Sequence, residues 1–129
     1  MALRDDYTCV AVDIDDEGIA WVTFNRPEKR NAMNPTLHYE MEEIMVHLET
    51  DPAAKVIVLT GAGKAWSAGM DLKEYFRETD NDPDAQFRSF IAHRHWGWTI
   101  SPCRASRLSP WSTATALAAR SCRCATATS

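Results

Sequence analysis

Residues 55–76 read KVIVLTGAGKAWSAGMDLKEYF and decide the fold class of this chain. The first six residues are almost all apolar, which is typical of a short strand that is covered on both faces. Three glycines follow, and Asp71 then opens a short helix over 71–77. A buried strand that runs through a glycine loop into a helix indicates an α/β fold.

The segment upstream of this strand predicts a hairpin and a long helix. Two β-rich runs, 7–14 and 19–24, flank the turn residues Asp-Asp-Glu-Gly. An Asn-Pro pair then caps a helix over 35–50, whose apolar residues repeat at helical spacing. A less regular helix is expected over 84–98. This order of elements favours a sheet backed by helices.

Composition places the chain among small globular domains. It has 129 residues, of which 45% are hydrophobic and 25% charged, enough for one domain. No apolar run approaches the ~18 residues of a membrane span, and the N-terminus lacks the pattern of a secretory signal. We therefore expect a cytoplasmic protein with no membrane partner. The net charge of −4 argues against nucleic acid as the main partner.

The last third of the chain differs in character. Residues 1–84 hold all 18 acids and 8 basic residues, whereas residues 85–129 hold 6 arginines and no acid. Of the 29 residues in 101–129, 24 are Ala, Ser, Thr, Arg or Cys, which offer little apolar area to bury. We expect residues 1–98 to form the domain and 99–129 to be an atypical, disordered tail. Without signs of secretion, the four cysteines are expected to be free thiols.

The glycine loop permits two interpretations. Unpaired N–H groups at a helix start favour negative charge, so the N–H at or near Met70 is a candidate oxyanion-hole donor. In the plainer interpretation the loop only turns a corner. Three other motifs fail because one required position holds the wrong residue. Trp66 stands where a dinucleotide-binding fingerprint needs its third glycine, and Ala65 stands where a phosphate loop needs Ser or Thr. Phe24 stands where a calcium loop needs its last carboxylate.

Three blocks of sequence resemble the crotonase (enoyl-CoA hydratase/isomerase) superfamily. They are NRPEKRNAM at 25–33, KVIVLTGAG at 55–63 and AWSAGMDLKEY at 65–75, in that family's order and approximate spacing. The resemblance covers about residues 7–98. Within the superfamily, MDLKEY after SAG is most similar to the hydroxycinnamoyl-CoA (feruloyl-CoA) hydratase-lyases. The resemblance implies an incomplete crotonase-like ββα spiral.

The resemblance also implies the ligand and its contacts. The ligand is an acyl-CoA thioester, with no separate cofactor and no metal, because coenzyme A is part of the substrate. The N–H of Met70 is implied as one of two oxyanion donors. By residue type alone, lysines such as Lys29 and Lys73 are more often solvated surface residues, and a tyrosine at a helix end such as Tyr75 is more often a packing residue. Substrate contacts are implied for Lys29, Ala68, Gly69, Met70, Asp71, Leu72, Lys73 and Tyr75.

The implied reaction begins with water adding across the double bond of a hydroxycinnamoyl thioester. Retro-aldol cleavage then yields an aromatic aldehyde (vanillin from feruloyl-CoA) and acetyl-CoA, and both steps place negative charge on the thioester oxygen. Two alternatives stay open. One is an enoyl-CoA hydratase or isomerase of the same superfamily, and the other is a non-catalytic acyl-CoA binder.

The sequence departs from the family after about residue 98. The family's second oxyanion donor lies in a later glycine-rich turn, followed by an acid/base Glu, whereas the last glycine here is Gly97 and the last carboxylic side chain Asp84. We therefore expect a weak or inactive chain, without the family's trimer-based homo-oligomer. Codon choices for residues 108–124 permit NGYCFGGAF in a shifted frame, similar to the family's glycine-rich segment. These codon choices predict out-of-frame translation from about residue 99. The alternative is a natural Arg/Ser-rich extension, which would make a metal cluster of His93, His95, Cys103, Cys122 and Cys124 conceivable, but their spacings match no established zinc pattern.

Overall fold

The computed structural model describes residues 3–100 and 114–117, which form one sheet and three α-helices. The strands are β1 (Val10–Ile14), β2 (Ile19–Phe24), β3 (Val56–Gly61) and β4 (Ala114–Leu117). The helices are α1 (Pro35–Thr50), α2 (Leu72–Thr79) and α3 (Pro83–Ile100), and a 3-10 turn spans Pro27–Lys29.

The sheet has the strand order β1-β2-β3-β4. Strands β1 and β2 form an antiparallel hairpin in which Val12 lies opposite Val22. Strands β2 and β3 are parallel, with Val22 opposite Leu59, so α1 is the crossover helix between them. The α/β class and the predicted order of elements are confirmed.

The bounds of β2 and α1 are those predicted, whereas β1 is shorter than the predicted run over 7–14. The reason is a side chain of α1. The backbone N–H groups of Thr8 and Cys9 each donate to the carboxylate of Glu40 at 2.8 Å instead of to a neighbouring strand. The local pattern gives no sign of this clamp, because its acceptor comes from a helix later in the chain.

The core lies between the sheet and α1. Phe24 of β2 and Leu37, Met41 and Ile44 of α1 are fully buried. Helix α3 packs on α1 and brings Trp96 edge-on to Phe24, with ring centroids 6.4 Å apart. In β3 the three successive residues 57–59 are buried, which confirms a strand covered on both faces.

Four residues of the predicted tail, Ala114–Leu117, form β4, in which Ala116 lies opposite Val58 of β3. This strand differs from the expectation of a tail without structure, because backbone pairing requires no large apolar side chain. The other residues of 101–129, three cysteines among them, lie outside the described residues, and the out-of-frame origin stays a prediction. Cys9 is a free thiol, and burial raises its pKa.

Across the described residues, no helix combines the length and the apolar character that a membrane crossing requires. Nor do three or more potential metal-ligating side chains come together within that same part of the chain.

His38 is a fully buried imidazole between α1 and α3. Its Nδ1 accepts a hydrogen bond from Nε1 of Trp96 at 3.2 Å. The ring centroids of His38 and His93 lie 4.7 Å apart. Burial, and to a lesser extent His93, lowers the pKa of His38 to about 4. The fold therefore favours the neutral form of this side chain.

Acid is expected to destabilise the fold through His38. The unfolded imidazole titrates near ~6.5, so as the pH falls below this value the unfolded state gains the proton first. The stability associated with neutral His38 is fully present above ~pH 6.5 and is lost by about pH 4, an effect of about 3 kcal/mol. Urea unfolding of the wild type and His38→Phe between about pH 7 and about pH 4.5 checks this. The free energy of unfolding of His38→Phe should depend less steeply on pH than that of the wild type. The control variant His95→Phe should keep most of the wild-type pH dependence. Equal pH dependence of His38→Phe and the wild type would contradict the prediction.

Candidate functional site

Two loops lie side by side where the parallel strands β2 and β3 end. They span residues 25–33 and 61–71, and we call them the paired loops. In open α/β sheets, ligands bind outside the carboxyl ends of parallel strands, which is where these loops begin. Several hydrogen bonds join the loops, among them Ala68 N–H to Arg30 O at 2.9 Å, Ser67 Oγ to Asn31 O at 2.8 Å, and Met33 N–H to Gly69 O at 2.7 Å.

Asn31 is a fully buried side chain that holds the paired loops together. Its Oδ1 accepts from the backbone N–H of Arg26 at 2.9 Å, and its Nδ2 donates to the carbonyl oxygens of Ala62 and Ala65 at 2.9 and 2.6 Å. The backbone φ is +56°, a left-handed conformation that asparagine tolerates better than most residues. We had assigned Asn31 no role.

Gly61 is where the second loop folds back over the end of β3. A Cβ atom at this position would lie 2.4 Å from the carbonyl oxygen of Trp66 and 2.5 Å from that of Ala65. The Trp66 ring stacks on Phe24, with centroids 5.9 Å apart. The absence of a side chain at Gly61 therefore permits the close approach that shapes the loop.

The backbone of Met70 forms a parallel bridge with Met33 of the other loop. Met33 donates to Gly69 O at 2.7 Å and accepts from Asp71 N–H at 2.8 Å, so its two bonds flank Met70. In this arrangement the N–H of the middle residue points away from the partner strand. No acceptor for the Met70 N–H is found among the described residues.

The backbone beside this amide is open. Gly69 has a φ of +92°, and a Cβ atom there would meet no atom of the described residues within 4 Å. Met70 itself is 45% exposed. A donor that is unpaired within the described residues therefore lies next to space that a ligand can enter.

The position of Met70 relative to the helix corrects our expectation. We placed its amide at the start of a helix opened by Asp71, but α2 begins at Leu72 and Asp71 is its N-cap, with Oδ1 accepting from the Glu74 N–H at 3.1 Å. Met70 thus precedes the cap, and its amide is oriented by the bridge to Met33. The local pattern could not show this, because the partner strand lies in the other loop.

Arg26 lies buried beneath the paired loops. Its guanidinium donates to Ala32 O, to Oδ2 of Asp71 at 3.3 and 3.4 Å, and to Oε2 of Glu74 at 2.7 Å. Nδ2 of Asn34 donates to the same Glu74 oxygen at 2.9 Å. The Glu74 N–H and, further, the Arg26 guanidinium lower the pKa of Asp71. The Glu74 carboxylate is thus engaged by two buried partners.

The structure brings some of the implied contact residues together. Lys29 is exposed at the end of the 3-10 turn, and its charge contributes to the lowered pKa of Asp71. Tyr75 is half-buried on α2, edge-on to Phe76 with centroids 6.2 Å apart. Gly69 is half-buried. The other implied contact residues that are exposed, as Lys29 is, are Ala68, Met70, Leu72 and Lys73. Their contacts with a ligand stay predictions.

A cleft of about 600 Å³ opens beside the paired loops. It is lined by Pro27, Arg30 and residues 62–65, and it carries one exposed cation from each loop, Arg30 and Lys64. Two cations facing one cleft suit a phosphorylated ligand. The local sequence pattern indicates a role for neither cation, since the position of Arg30 depends on a left-handed backbone with φ +51°.

Solved structures define the class of fold. The chain is similar to an enoyl-CoA hydratase/isomerase from Mycobacterium paratuberculosis, with a TM-score of 0.65 and 32% identity over 78% of this chain and 39% of that one. An enoyl-CoA hydratase from Shewanella pealeana shares the fold at 19% identity, with a TM-score of 0.66 over 76% of this chain and 37% of that one. The fold is therefore that of the crotonases.

The family model for enoyl-CoA hydratase/isomerase matches residues 15–97. The chain belongs to the enoyl-CoA hydratase/isomerase family. It is 67% identical over 92 residues to the hydroxycinnamoyl-CoA hydratase-lyase of Pseudomonas fluorescens. The matched segment covers 70% of this chain and 33% of that protein. It is 37% identical over 79 residues to a 4-chlorobenzoyl coenzyme A dehalogenase of an Arthrobacter species, over 61% and 29% of the two chains. The chain spans about a third of the length of these curated relatives.

Proposed function

We propose that the paired loops bind a hydroxycinnamoyl-CoA thioester and that the backbone N–H of Met70 donates to the thioester oxygen. The observation that carries this proposal is that amide, which has no acceptor among the described residues and lies beside open backbone at Gly69. A fixed donor of this kind stabilises negative charge as it develops on the oxygen. The Pseudomonas fluorescens relative supports the substrate class.

The cations of the cleft support the same ligand. Arg30 and Lys64 are placed to meet the phosphate groups of coenzyme A, and Lys29 lies on the same turn as Arg30. Tyr75 is proposed to contact the phenol end of the acyl group. We propose no separate cofactor and no metal, because coenzyme A belongs to the substrate. The location that we propose is the cytoplasm.

For the whole protein we propose hydration followed by cleavage. Water adds its hydroxyl group to the carbon next to the aromatic ring and a proton to the carbon next to the thioester. The new hydroxyl group then loses its proton as the bond between these carbons breaks, which releases an aromatic aldehyde, vanillin from feruloyl-CoA, and the enolate of acetyl-CoA, and the enolate takes up a proton. Since no carboxylic side chain follows Asp84 in these 129 residues, we expect this chain to bind and polarise the thioester without turnover.

Replacing Met70 with proline tests the donor directly, because proline removes the N–H and this N–H bonds no described residue. We expect Met70→Pro to bind feruloyl-CoA roughly 3- to 10-fold more weakly, the value of one hydrogen bond. The infrared shift of a ¹³C-labelled thioester carbonyl on binding should disappear. Calorimetric titration and isotope-edited infrared spectroscopy measure the two effects.

Met70→Leu is the matched control, since it changes the side chain and keeps the N–H. It should retain the carbonyl shift of the wild type. A carbonyl shift that survives in Met70→Pro would contradict the role of this amide, and wild-type affinity for feruloyl-CoA no better than for coenzyme A alone would contradict the proposed acyl ligand.

The solved neighbours favour a second candidate, an enoyl-CoA hydratase or isomerase of the same family. Titration with crotonyl-CoA beside feruloyl-CoA separates the two. Preference for the aromatic thioester supports the first candidate, and preference for the short aliphatic one supports the second. Tight binding of both without spectral change of the carbonyl would instead indicate a non-catalytic acyl-CoA binder.

A further inference from the structure

One buried side chain contacts both strands of the bridge that orients the Met70 amide. The Arg26 guanidinium donates to the carbonyl oxygen of Ala32, the residue before Met33. It also donates to Oδ2 of Asp71, the residue after Met70, at 3.3 and 3.4 Å. Arg26 therefore fixes the distance between the two strands from beneath.

The same guanidinium links the bridge to the start of α2. Oδ1 of Asp71 caps the helix at the Glu74 N–H, and the Glu74 side chain returns to Arg26 at 2.7 Å. The side chains of Arg26 and Asp71 are only 8% and 10% exposed, so solvent screens this ion pair weakly. A shift of the guanidinium would thus move Asp71 and, through the Cα of Met70, the preceding peptide unit that carries the Met70 N–H.

We propose that Arg26 is a positioning residue for the Met70 amide, which it aims through Ala32 and Asp71 without touching the ligand. This inference rests on the proposed function, because the aim of the amide has a chemical consequence only if a thioester oxygen binds there. The fork of the guanidinium is required as well as its charge. Donation to a carbonyl and to two carboxylates suits a planar group with five N–H donors better than a single ammonium.

The test compares the full chain with Arg26→Lys, Arg26→Met and Arg88→Met. Arg88 is the matched control, since its side chain is 69% exposed and its ion pair with Asp82 is long, at 3.9 Å. In the absence of ligand, ¹⁵N-methionine labelling reports the Met70 amide. We expect its proton and nitrogen shifts to change in both Arg26 variants by more than those of Met41 and Met45, which lie in α1, and to stay unchanged in Arg88→Met.

With ¹³C-labelled feruloyl-CoA, the bound carbonyl should lose its infrared shift in Arg26→Met and recover it in part in Arg26→Lys. Binding itself should weaken only roughly 3- to 10-fold, because the coenzyme A contacts remain. A purely structural role would lower stability and affinity without moving the carbonyl frequency of the molecules that still bind.

The outcomes separate the two proposals. Folded Arg26 variants with the wild-type Met70 amide shifts would overturn the positioning role, whatever binds. A wild-type chain that binds no feruloyl-CoA, while the Met70 amide shifts of the Arg26 variants do move, would overturn the proposed function and leave the positioning of the amide supported. If Arg26→Met does not fold, Arg26→Lys carries the comparison.

Discussion

Gly61→Ala is expected to lower the free energy of unfolding by about 3 kcal/mol, because the new methyl group has no room. Its carbon would lie 2.4 and 2.5 Å from two backbone carbonyl oxygens and 2.7 Å from Nδ2 of Asn31. Carbonyl oxygens of a loop held at both ends cannot yield as the tip of a flexible side chain can. The loop must shift away from the end of β3, which disturbs the hydrogen bonds of Asn31. Thermal unfolding should show a melting temperature roughly 10–20 °C lower.

The chain offers a matched control in Gly97. Within the part of the chain that the structure describes, a Cβ atom at this position of α3 would meet nothing within 4 Å. The same substitution there, Gly97→Ala, should raise stability by about 0.5–1 kcal/mol, since alanine loses less conformational entropy in a helix. Opposite signs at the two glycines support the steric argument. Equal effects at both would show that the loop near Gly61 adapts freely.

Asn31→Asp is expected to destabilise the fold by about 3–5 kcal/mol. The substitution preserves side-chain size and tolerance of the left-handed backbone, and it keeps the acceptor for the Arg26 N–H. It replaces the Nδ2 donor with an oxygen that faces the carbonyl oxygens of Ala62 and Ala65, formerly at 2.9 and 2.6 Å. Three acceptors then meet in a buried site with no donor between them.

The pH dependence of this variant has a defined sign. A protonated carboxyl can donate to one of the two carbonyl oxygens, so the fold should raise the pKa of the introduced group above its unfolded value of ~3.9. Its destabilisation should therefore grow as the pH rises above ~4, measured by urea unfolding relative to wild type. Asn81→Asp makes the same chemical change at an exposed turn residue and should stay within ~0.5 kcal/mol of wild type. A loss at Asn31→Asp no larger than this would show that its side-chain donor is not needed.

Both substitutions act on the paired loops, and their consequences should reach the proposed site. Gly61 and Asn31 set how closely the second loop lies on the first, and that distance decides whether Met33 and Met70 pair. A chain that still folds with a displaced loop would present the Met70 amide in another direction. Loss of the thioester carbonyl shift at concentrations where the chain is folded is therefore the expected functional result.

Much of the fold could be predicted from local pattern. The bounds of α1 follow from its cap and its helical spacing, and β3 follows from a run of apolar residues. The sequence pointed to Met70 as the candidate donor through the unpaired N–H groups of a predicted helix start, whereas in the structure Met70 precedes the N-cap and a bridge to Met33 orients its amide. The shortened β1 could not be predicted, since the carboxylate of Glu40 reaches it from α1.

The sequence by itself determined the order of the elements, the family and the segment that carries the candidate donor, because these depend on residues that are neighbours along the chain. Only the tertiary structure decided that a bridge to Met33 orients the Met70 amide, that Arg26 braces this bridge, and that Arg30 and Lys64 share a cleft. Each of these features joins residues from separate loops. Their contacts exist only once the parallel pairing of β2 and β3 has brought the two loops to the same edge of the sheet.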